Sequence, residues 1–65
     1  MITINNEKFI LAFANTAETT GDFSKRSNVS RSVISEIING KRTAVRPITI
    51  GKLASALGVK VIDLI

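Results

Sequence analysis

The sequence predicts an all-α fold: five short helices packed as one bundle, two of them joined by a tight turn across residues 20–38. Three observations carry that reading. Apolar residues recur at helical spacing in successive stretches, and residues suited to capping a helix stand between them. The chain has 65 residues and no cysteine, so apolar packing alone must hold a fold near the lower size limit for independent stability. No repeat, linker or low-complexity tract interrupts it, so a single domain over residues 1–65 is expected.

The first helix is expected from about Asn6 to Thr16. Asn5 is placed to cap it, Glu7 sits favourably in its first turn, and Phe9, Ala12, Phe13 and Thr16 share one face. Thr19 with Asp22 three residues later resembles a capping box and starts a second helix near Thr20, with Phe23 pointing inward. Asn28 can hold the left-handed conformation that ends this helix, and Ser30 then caps the next. The third helix, about Arg31 to Ile38, packs through Ile34 and Ile37 with Val29 just ahead of it, and Gly40 suits its C-terminal cap. Lys41–Arg46 reads as a basic loop. Pro47 sits where the first position of a helix tolerates proline. It opens a fourth helix up to about Leu57, with Ile50, Leu53, Ala54 and Leu57 facing inward. Gly58 followed by Val59 reads as a left-handed cap with its hydrophobic latch. Val61–Leu64 is expected as a short fifth helix, with Ile65 after it.

Charge narrows the function. Nine Lys and Arg against five Asp and Glu give a net charge of +4 at pH 7 and a pI near 10.2. Six of the basic residues (Lys25, Arg26, Arg31, Lys41, Arg42 and Arg46) stand between positions 25 and 46, with Glu36 as the one acid among them. A compact basic strip is the electrostatic footprint of a phosphate-binding surface. Catalysis finds little to work with: there is no His, Cys or Tyr, and Asp22 and Asp63 are the only aspartates. Gly21, Gly40, Gly51 and Gly58 form no phosphate-cradling loop. Without His or Cys an ordinary zinc site is excluded, and neither a cofactor nor a small-molecule substrate is expected. No apolar run is long enough for a signal peptide or a membrane span, so a soluble cytoplasmic protein is expected.

Ser24–Arg42, SKRSNVSRSVISEIINGKR, joins these threads: two short helices, a tight turn, a buried stripe of Val29, Ile34 and Ile37, and basic residues around them. This is the grammar of a helix-turn-helix, whose second helix enters the DNA major groove. The chain resembles the Cro/CI-type (XRE-like) helix-turn-helix domain of phage repressors and bacterial regulators. The resemblance runs from Ile4 to Leu64, and its most specific parts are SNVSRSVISEIINGKR at Ser27–Arg42 and KLASALGV at Lys52–Val59. It implies a lambda-repressor-like bundle, double-stranded operator DNA as partner, and a repressor or Cro-like genetic switch in a bacterial host cell.

By the same resemblance, Arg31, Ser32 and Glu36 stand at the usual base-reading positions, with Ser35 near the backbone or groove edge. Arg31 can bond guanine O6 and N7, Ser32 can donate or accept, and Val33 either touches a thymine methyl or packs inward. Glu36 departs from the family, which more often carries Gln, Arg or Lys there; a carboxylate can accept from cytosine N4 but repels phosphates. Thr20, where the family usually has Gln, is expected at a phosphate together with Asn39, Lys41 and Arg42. Asn39 serves equally as a turn former, and Arg46 either reaches a phosphate or is simply solvated.

Phe9–Ala14, FILAFA, is apolar throughout, where family members alternate core residues with charged ones. Ile38 and Ile48 likewise replace commonly charged positions. A 65-residue fold can cover only one side of such a helix, so Ile10, Leu11, Ala14 and Ala17 are expected as an exposed patch that marks a partner surface. The competing reading is that Phe9 and Phe13 turn the helix and hide this face. Two functions therefore stand side by side. One is an operator-binding regulator. The other is a modulator or antirepressor that binds a second copy or a larger repressor through its first helix.

Overall fold

Local capping chemistry sets the helix ends in the computed structural model, which describes every residue from Met1 to Ile65. In chain order the elements are β1 (Ile2–Thr3), α1 (Asn6–Thr16), α2 (Thr20–Ser27), α3 (Arg31–Ile38), β2 (Ala44–Val45), α4 (Pro47–Leu57) and a closing 3₁₀ helix (Val61–Leu64). Asn5 accepts from the Lys8 N–H at 3.0 Å, Thr19 from the Asp22 N–H at 3.1 Å, and Ser30 from the Val33 N–H at 3.3 Å. Each satisfies a donor that the first turn of a helix leaves without an internal partner. Asn28 takes φ 59° after α2 and Gly58 takes φ 72° after α4, both as expected for left-handed caps.

Two expectations need correction. The bundle has four α-helices, not five, because Val61–Leu64 is a single 3₁₀ turn. Four residues cannot build a run of i→i+4 bonds. The turn is closed instead by Asp63 N–H donating to the Lys60 carbonyl and Lys60 N–H donating to Asp63 Oδ2, both at 2.9 Å. Nor is the fold purely helical. Ala44–Val45, inside the expected basic loop, pairs antiparallel with Ile2–Thr3 in the register Ile2 to Val45 and Thr3 to Ala44. Burial of the neighbouring Ile4 and Val45 explains the pairing, since it brings the two backbones together where their polar groups must be satisfied.

One core holds these elements. Phe9, Phe23, Ile34, Ile37, Leu53 and Leu64 are fully buried, and Ile4, Val45 and Ile50 nearly so. Removing each such side chain from water contributes roughly 1.5–3 kcal/mol. At the α1–α2 junction Phe9 and Phe13 lie parallel with centroids 6.1 Å apart, and Phe23 meets Phe13 edge-on at 5.2 Å. The N-terminal strand is tied down by the Ile4 N–H to the Thr43 carbonyl at 2.8 Å and the Asn5 N–H to the Leu64 carbonyl at 2.7 Å. No helix is long and apolar enough to cross a membrane.

Candidate nucleic-acid interface

The turn between α2 and α3 is fixed from three sides. Asn28 supplies the left-handed residue, the Ser24 hydroxyl donates to the Val29 carbonyl at 2.6 Å, and the Val29 side chain is buried. With Ile34 and Ile37 fully buried, the rotation of α3 is set. Ser32, Ser35, Glu36 and Asn39, related by steps of three and four, then fall on its opposite face with Arg31 beside them. Arg31, Ser32 and Asn39 are exposed; Ser35 and Glu36 are half-exposed. Val33 is half-buried and packs against the core.

Arg31 reaches back across α2. Its Cζ and Nε lie 3.9 Å from the point where a side chain at Gly21 would begin, which places the guanidinium in ordinary contact range of the first turn of α2. Thr20 sits half-buried in that same turn.

At the other end of α3 the chain doubles back. Gly40 takes φ 75°, and the Glu36 carbonyl accepts from the Lys41 N–H at 2.9 Å and the Arg42 N–H at 3.1 Å. This returns Arg42 over the last turn of the helix, where its Nε bonds Glu36 Oε1 at 2.8 Å and its Nη2 lies 2.6 Å from the same oxygen. The turn is anchored from α1: the Asn6 side-chain amide donates to the Ile37 carbonyl at 2.8 Å and to the Arg42 carbonyl at 2.9 Å. Asn39 caps α3 in right-handed conformation, with Gly40 as the left-handed residue, and the Asn39 side chain makes no hydrogen bond.

The basic strip therefore divides. Arg42 is paired with Glu36, and Arg26 grips Glu18 through Nε and Nη2 while its guanidinium lies 5.6 Å from the Phe23 ring centre. The Arg26 hydrogen bonds hold the Glu18 carboxyl below its ordinary pKa. Lys25, Arg31, Lys41 and Arg46 are exposed and carry no ion pair. Arg42 and Arg46 line one cleft of about 240 Å³ beside Val33 and Thr49, and Arg46 also borders the start of α3 at Ser30.

On the far side of α1, Leu11 is 63% exposed and Ile10 37%, and Ala14 and Ala17 are exposed beside them. Ile48 is 64% exposed, whereas Ile38 is half-buried against the core. Sequence reasoning missed Asn6 and the Glu18–Arg26 pair. The one available signal was a second asparagine at the start of α1, left over once Asn5 had taken the capping role.

A family model described as helix-turn-helix matches residues 19–64, which takes in α2, α3, α4 and the closing turn. The chain belongs to this family, in its Cro/CI-type form, and is a DNA-binding regulatory domain. No curated protein and no solved structure matches it significantly.

Proposed function

We propose that this chain is a transcriptional regulator of the phage repressor or Cro kind, which occupies operator DNA in the bacterial cytoplasm with α3 in the major groove. The observation that carries the reading is the outer stripe of α3, left open by a buried Ile34–Ile37 face, with Arg31 at its start, Lys41 in the turn after it and Arg46 beside Ser30, none of them in an ion pair. Arg31, Ser32, Ser35 and Glu36 read base edges; Thr20, Asn39, Lys41 and Arg46 hold phosphates and fix the register, while Arg42, expected at a phosphate from the sequence, is engaged by Glu36. Repression then follows from occupancy of a promoter, without catalysis or cofactor. Arg31→Ala tests it. Discrimination between the selected operator and a scrambled duplex, read by fluorescence anisotropy, should fall about tenfold or more, with the melting curve unchanged. Unchanged discrimination removes Arg31 from base reading.

A second reading is favoured by the exposed face Ile10, Leu11, Ala14 and Ala17. Here the chain is a modulator or antirepressor that docks this face on a second copy or on a larger repressor. A size measurement on the protein alone, then mixed with candidate repressors, separates the two. A monomer that binds operator and ignores every repressor supports the first; a complex formed without DNA supports the second.

A further inference from the structure

We infer that Glu36 and Arg42 act as one unit that selects a cytosine in the operator, with Glu36 accepting from the base and Arg42 holding it in position; this rests on α3 entering the major groove. Alone, a carboxylate on that face is a liability, because it faces a polyanion. In this structure it is not alone. Arg42 approaches a single oxygen, Oε1, with its Nε donating a hydrogen bond and its Nη2 within ion-pair distance, and Oε2 takes no hydrogen bond. The guanidinium offsets the charge that phosphates would repel, while one oxygen stays free to accept. The arrangement precedes DNA binding, since the Glu36 carbonyl bonds both following N–H groups and Asn6 holds the Arg42 carbonyl. Binding therefore need not freeze a mobile glutamate.

The free oxygen narrows the base. A carboxylate can only accept. Guanine shows O6 and N7 in the major groove, and thymine shows O4, all acceptors that would face it unfavourably. Adenine offers N6–H beside the N7 acceptor. Cytosine offers N4–H with no acceptor next to it. Cytosine is thus the base that Glu36 Oε2 fits. Arg42 is a positioning residue here, and its pairing distinguishes it from the free phosphate-seeking cations Lys41 and Arg46.

The test is selection from a duplex library with a randomised centre, at fixed salt, by the wild-type protein and by Glu36→Gln, Arg42→Gln and Arg42→Lys. The wild type should favour cytosine about tenfold at one position. Glu36→Gln should exchange that preference for adenine, whose N6–H and N7 a carboxamide meets together, and leave the other positions alone. Arg42→Gln should weaken it several-fold at the same position, and Arg42→Lys should restore part of it, because an ammonium still pairs with Oε1. A cytosine preference that survives Glu36→Gln overturns the inference while leaving DNA reading by α3 intact. So does an Arg42→Gln variant that loses affinity equally for all sequences, which is the mark of a phosphate contact. If Arg42→Gln does not fold, Glu36→Gln decides alone. A wild type that enriches no sequence overturns both the inference and the function on which it rests.

Discussion

Asn6 shows how much one side chain can organise. Its amide donates to the carbonyls of Ile37 and Arg42, groups at the C-terminal end of α3 where the helix runs out of its own donors. One residue at the start of α1 thus ties down the turn that carries Lys41 and returns Arg42 to Glu36. Asn6→Ala removes both bonds and should cost about 1–3 kcal/mol, read as a lower urea midpoint with an unchanged m-value. Asn6→Asp should fare no better, because an ionised carboxylate offers no donor to either carbonyl. A fully stable Asn6→Ala variant would mean that α3 and its turn hold themselves. The Glu18–Arg26 pair is the contrast: it is equally well formed, but it lies at the surface, where such pairs add little.

Among the helices, the end of α1 carries a visible strain. Ala17 closes it at φ 56°, a left-handed conformation that costs a residue with a Cβ roughly 1–2 kcal/mol. Ala17→Gly should therefore stabilise the fold by about 1 kcal/mol and raise the melting temperature by several degrees. A lower melting temperature would show that the Ala17 methyl is doing something the backbone geometry hides. The other helix ends were legible in the sequence because capping is local: Asn5, Thr19, Ser30, Asn28, Pro47 and Gly58 each act within a turn of where they stand. The strand pair was not legible, since Ile2–Thr3 and Ala44–Val45 have no pattern of their own and meet only because the core brings them together. The same division runs through the candidate site. The outer stripe of α3 follows from the phase of Ile34 and Ile37, but the Glu36–Arg42 pair depends on the path of the turn at Gly40 and the docking of α1.

For the molecule as a whole, two surfaces stand open: the polar stripe of α3 with its cations, and the apolar side of α1. Leu11→Lys separates their roles. Leu11 is already 63% exposed, so the substitution should change stability by less than about 0.5 kcal/mol. Any self-association or repressor complex through α1 should be lost, because a lysine would have to be desolvated where a leucine was buried. An unfolded variant would make Leu11 a core residue; a folded one with its assemblies intact would make the patch incidental. If the free cations meet DNA phosphates, the affinity for a duplex must depend on salt. Lys25, Arg31, Lys41 and Arg46 are free, whereas Arg26 and Arg42 already have carboxylate partners. With one domain bound per short duplex, Arg31 on a base and the other three on phosphates, log K against log salt should fall with a slope of about −3, at roughly −0.9 per phosphate neutralised. A slope near zero would contradict the account.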